Sequence, residues 1–219
     1  MDGASLPLAV SATRSVERRE RRVLVRRVRF LARLGLAWHG IEAAVAIIAG
    51  VVAGSIALIG FGADSLVESL AGITVLWRFA ESRSASEQAE RRAQQVIGAS
   101  FYAIAAYITV EAVRTLAGGG HPEVSWVGIG LAAVTLVTMP ALAAAKARVG
   151  EKLHSSATKS EGRQNLLCAY LSGALLVGLG ANALLGWWWA DPATAFVIAA
   201  VAADEGRKAW AGEACDDCC

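Results

Sequence analysis

The sequence predicts an all-α membrane protein of six transmembrane helices with both termini in the cytosol, and three observations predict it. The chain of 219 residues is 55% hydrophobic and 18% charged, with a mean hydropathy of +0.46, whereas soluble domains run nearer about 45–50% apolar and about 25% charged. Six stretches, near 30–53, 56–77, 97–117, 125–145, 165–187 and 191–210, approach the roughly 20 apolar residues that one bilayer crossing needs. Basic residues fall on one side: nine up to Arg33, four in 78–96, five in 146–163, and the pair Arg207 and Lys208, with Arg114 alone opposite. The positive-inside rule then places both termini in the cytosol. The net charge of +2 says little beside this distribution.

Residues 1–29 read as a basic cytosolic arm. Leu6 to Ala12 is too short an apolar run for a signal peptide and no basic residue precedes it. The arginine-dense stretch Arg14 to Arg33 either lies on anionic headgroups or only sets topology. Residues 30–210 form one six-helix domain, and 211–219 a cysteine- and aspartate-rich tail. Ala53-Gly54-Ser55 is an uncharged hairpin between the first two spans. Gly118-Gly119-Gly120-His121-Pro122 separates the third from the fourth, and Met139-Pro140 predicts a kink in the fourth. Trp187-Trp188-Trp189 marks an interfacial belt, after which Pro192 suits the first turn of the last helix. Glu111 and Arg114 have the spacing of an ion pair at the outer interface. His121 and Glu123 fall in the loop that follows. Glycines throughout the spans allow close helix packing.

Asp64 and Glu68 are the most informative residues. Spaced four apart, they share one helix face, about 12 to 18 Å from the outer end of the second span at the helical rise. An ionised side chain at that depth costs at least roughly 2.5 kcal/mol. Either the pair is protonated or helix-paired, or it serves an ion pathway. No lysine or arginine is expected at matching depth, so a cation or protons must neutralise it. Two oxygen donors one turn apart can close on a divalent cation. His39 and Glu42 share a face of the first span at a similar depth. His39 reads as a proton acceptor, an accessory ligand or a hydrogen-bonded core residue. In the fifth span Gln164 and Cys168 repeat the spacing of four, with Glu161, Asn165 and Ser172 within a turn or so. Cys168 is a soft donor for zinc or cadmium if it ionises, or a small buried hydrophobe if it does not. Asp204 and Glu205, beside Arg207 and Lys208, form a solvated helix end or the rim of an inner vestibule. Cys215, Cys218 and Cys219 with two aspartates offer half a zinc site. No P-loop, Rossmann glycine pattern or His-Glu-x-x-His occurs, so covalent catalysis is not expected.

The hairpin from Gly54 through Asp64-Ser65-Leu66 to Glu68 resembles the second transmembrane helix of the cation diffusion facilitator (cation efflux) family. There Asp-x-x-x-Asp supplies two ligands of the transport site, and Glu68 here replaces the second aspartate. The resemblance spans about 30 to 210. It implies a secondary transporter that exports a divalent transition metal, zinc foremost with cadmium or cobalt as others, in exchange for protons. It aligns Gln164 and Cys168 with the fifth-helix ligands, giving a metal set of Asp64, Glu68, Cys168 and Gln164, with His39, Glu42 and Glu161 accessory or proton-linked. It also implies a homodimer in a bacterial-type cytoplasmic membrane, without the cytosolic C-terminal domain usual in the family. No nucleic-acid partner or prosthetic group is expected. Two other readings stay open: a membrane metal sensor or accessory subunit that binds without transport, and a proton-coupled carrier of an organic cation.

Overall fold

Backbone amides inside hydrocarbon have no water to bond, so an apolar chain that crosses a bilayer must satisfy them within its own segments. A computed structural model describes residues 6–78, 87–118, 121–153 and 155–211, and among these residues it contains six α-helices and no strand. They are α1 (Leu6–Ala53), α2 (Ile56–Arg78), α3 (Glu87–Gly118), α4 (Trp126–Lys152), α5 (Ser156–Leu185) and α6 (Ala190–Ala211). The tail with Cys215, Cys218 and Cys219 lies outside the described residues, as do Gly119 and Gly120. Every predicted span corresponds to a helix, but several helices run past the hydropathy limits. Hydropathy marks only the apolar part of a helix, while Arg, Glu, Lys and Ala sustain the helix beyond it. The basic arm is accordingly the first half of α1 itself, which begins at Leu6.

Stretches within α1, α4 and α5 are long and apolar enough to cross a membrane. Exposed aliphatic side chains such as Ile41, Ile48 and Val52 on α1, Val137 on α4, and Val177 and Leu184 on α5 form an outer surface suited to lipid. Lipid tails solvate apolar side chains as well as protein does, so close packing and interhelical hydrogen bonds must hold such a bundle together. The helices pack chiefly as three pairs: α1 with α2, α4 with α5, and α3 with α6. At Gly50 a β-carbon would sit 2.9 Å from the backbone nitrogen of Ile59, and at Gly98 one would sit 3.0 Å from the carbonyl oxygen of Gly206. Only glycine permits these backbone approaches of α1 to α2 and α3 to α6. Phe61, Leu58, Ile108, Leu175, Leu179 and Ile198 fill the interior between the pairs.

The turn between α1 and α2 is closed at Gly54, whose positive φ of 66° suits glycine. Ser55 then caps α2, its Oγ accepting from the Leu58 amide at 3.1 Å. Asp191, at the start of α6, reinforces this cap from across the fold. Its carboxylate accepts from the Ser55 hydroxyl and from the amides of Ile56 (3.0 Å) and Ala57 (3.4 Å). The same end of the bundle is tied by Asn182, whose amide donates to the Pro122 carbonyl (2.9 Å), and by His121 set edge-on to Trp188. Trp187 and Trp189 stack beside them. Arg114 pairs with Glu111 at 2.7 Å, as their spacing predicts. Pro140 lies inside α4, which continues to Lys152. One end of α2 is thereby fixed, and the residues a few turns below it take defined positions against α1, α4 and α5.

Candidate metal centre

The polar residues of α1, α2, α4 and α5 meet around Glu42, which is fully buried. Burying a carboxylate is costly unless it is hydrogen-bonded, and four partners supply the bonds. Thr135 Oγ1 from α4 donates to Oε1. Oε2 accepts from Ser65 Oγ of α2 at 2.9 Å, from His39 Nδ1 one turn earlier on α1 at 3.2 Å, and from Cys168 Sγ of α5 at 3.7 Å. His39 and Glu42 are neighbours because i and i+3 share a helix face. Ser65 is fully buried where α2 packs against α1, which brings its hydroxyl to Glu42.

Glu68 closes the group. Its Oε2 is 3.1 Å from His39 Nδ1, near enough for charge attraction, yet it lies outside hydrogen-bond geometry and has no hydrogen-bond partner among the described residues. A buried carboxylate oxygen left unbonded is uncommon in a folded interior and calls for an explanation, an ion among them. The donor atoms of His39, Glu42, Glu68 and Cys168 all lie within 4.8 Å of one another, and all four residues are buried. Tetrahedral coordination at zinc-like bond lengths requires donor–donor edges of about 3.3 to 3.8 Å. Contraction by about 1 Å, within reach of side-chain torsions, would bring the group to that geometry. A thiol among the oxygen donors suits zinc or a similar borderline ion better than magnesium or calcium, which take oxygen alone.

Of the residues singled out from the sequence, Glu68 and Cys168 are brought together, joined by His39 and Glu42. Asp64 is buried one turn from Glu68 on the same helix face, outside the four-donor group, and Gln164 is half-buried one turn before Cys168 on α5. Glu161 is buried and pairs with Lys146 Nζ at 2.7 Å. Lys146 is a buried cation close to this centre that the sequence did not single out. Counted from the sequence with the cytosolic basic block, it is 1% exposed and lies among α1, α4 and α5. Its partners are Glu161 and Asn165 rather than Asp64 or Glu68. The sequence carried one signal for this, a lone lysine ending the apolar run Ala143-Ala144-Ala145, but nothing local separates it from the basic residues that follow. Thr135 and Met139 were equally hidden, because only the packing of α4 against α1 and α5 gives them partners.

Asn165 links the two regions. Its side chain accepts from Lys146 Nζ at 2.7 Å and lies 3.0 Å from His39 Nε2 and 3.2 Å from Met139 Sδ. A continuous polar chain therefore runs from Glu161 through Lys146, Asn165 and His39 to Glu42 and Glu68. No curated protein matches the chain. The model of the cation efflux transmembrane domain matches residues 33–209, which reaches from the second half of α1 into α6 and covers every residue of this centre. The chain belongs to the cation efflux family, integral membrane proteins that transport metal cations.

Proposed function

We propose that the protein exports a divalent transition-metal ion, zinc foremost, from the cytosol in exchange for protons, with both termini cytosolic. The observation that carries this reading is the unbonded Glu68 Oε2 inside a buried set of carboxylates and a thiol, with the His39 imidazole beside them. Glu68 and Cys168 are the principal donors, Glu42 shares its Oε2 with them, and Asp64 is the next carboxylate along α2. Gln164, one turn before Cys168 on α5, is the further oxygen donor the sequence singles out. The acids gather more negative charge than the site can hold bare in a low-dielectric interior, so it is neutralised by a metal ion or by protons. Carboxylates and thiols must lose protons to bind metal. Metal and protons therefore compete for one set of atoms, which is the chemical basis of exchange. Rocking of the helix pairs would present the set to each side of the membrane in turn. Zinc uptake into inverted vesicles under an imposed pH gradient tests the reading. Asp64→Ala and Glu68→Gln should abolish uptake at normal expression, and unchanged uptake by both variants would reject it.

A further inference from the structure

We infer that Lys146 is a positioning residue that, through Asn165, fixes the tautomer of His39 and keeps both its nitrogens from acting as metal donors. The niche for this lysine is built from three helices. Its ammonium is clamped by two α5 side chains one turn apart, Glu161 Oε1 and Asn165 Oδ1, each at 2.7 Å. On the α1 side Gly35 leaves the space it occupies, since a β-carbon there would stand 2.8 Å from Nζ.

The chemistry follows from what each group can donate. An ammonium has three donors and no lone pair, so the Asn165 atom that faces it must be the carbonyl oxygen. The amide nitrogen of Asn165 is then turned to His39 Nε2 at 3.0 Å. An amide nitrogen only donates, so Nε2 must present its lone pair. The imidazole proton is thereby confined to Nδ1, the nitrogen 3.2 Å from Glu42 Oε2 and 3.1 Å from Glu68 Oε2. Reversing the tautomer would require the Asn165 amide to turn over, which would aim two N–H bonds at the Lys146 ammonium. His39 thus offers the carboxylates an N–H and no lone pair, while its other nitrogen is held by Asn165. For the metal reading above, on which this consequence rests, the ion is held by oxygen and sulfur donors with His39 as a hydrogen-bond donor to them.

The tautomer can be read without any metal, so its test stands or falls apart from the transport reading. Full-length protein labelled with 15N-histidine in detergent micelles gives the ring-nitrogen resonances, with those of His39 assigned by their loss in His39→Gln. In the unsubstituted protein, metal-free, His39 should show Nδ1 protonated and Nε2 of the lone-pair type. In Asn165→Asp the new carboxylate accepts from both Lys146 and Nε2–H, so Nε2 should become protonated. Lys146→Met combined with Glu161→Gln, which leaves no unpaired buried charge, should give both tautomers. A wild-type His39 protonated at Nε2, or an Nε2 that stays of the lone-pair type in Asn165→Asp, would overturn the inference. Should the double variant not fold, the wild-type and Asn165→Asp spectra decide it.

Discussion

Four helices converge on one side chain, Glu42, and its partners differ in what they ask of it. Thr135 and Ser65 only donate, and their hydroxyls keep the carboxylate in place whether or not an ion is present. Cys168 and Glu68 instead have chemistry left over: a thiol that can ionise and an oxygen with no hydrogen bond. Cys168→Ser should therefore weaken cadmium binding more than zinc binding, because the softer ion loses more with the thiolate. Competition between the two ions in a binding titration measures this, and equal losses would place Cys168 outside the coordination sphere. Lys146→Met should destabilise the protein by about 3–5 kcal/mol, since it strands the buried Glu161 carboxylate. Adding Glu161→Gln should recover most of that loss in a denaturation series. Asp64, Glu68 and Cys168 stood out in the sequence because acids and a thiol are conspicuous among apolar neighbours. Lys146 did not, because a lysine near a basic loop looks like part of that loop until its partners are known.

At the scale of elements, α2 is the most constrained helix, held at one end by a carboxylate from a helix distant in sequence. The cap by Asp191 joins α6 to α2 through the Ser55 hydroxyl and two amides. Asp191→Ala should cost about 0.5–2 kcal/mol, the range for losing a helix cap, and thermal unfolding in detergent would show it. Gly50→Val tests the α1–α2 contact, where the Ile59 backbone leaves no room for a side chain. It should separate His39 and Glu42 from Glu68, so metal affinity should fall together with stability. The existence and order of all six helices were legible from hydropathy and from turn residues such as Gly54, Pro122 and Pro192. Their ends were not, because α1 and α3 continue as helices through arginine- and glutamate-rich sequence that hydropathy excludes. The pairing of α3 with α6 was equally illegible, since the approach of Gly98 to Gly206 is a property of two segments jointly.

As a whole the molecule is a bundle with an apolar outside and a buried cluster of acids, thiol and imidazole within, the proposed seat of one ion. Binding at that seat has a pH dependence with a definite sign. Metal binding displaces protons from carboxylate and thiol, so affinity should fall as the pH is lowered and protons should appear in the medium when metal is added. Zinc titrations in two buffers of different ionisation enthalpy give the number released, and zero would contradict exchange at a shared site. The most direct test of the central claim is calorimetric titration of zinc into detergent-purified protein, comparing the unsubstituted chain with Glu68→Gln. The account predicts one saturable site in the former and a loss of affinity of at least about tenfold to a hundredfold in the latter, the range seen when even supporting groups of a metal site are removed. Equal affinity in the two proteins, or no binding of any transition metal by the unsubstituted chain, would contradict it.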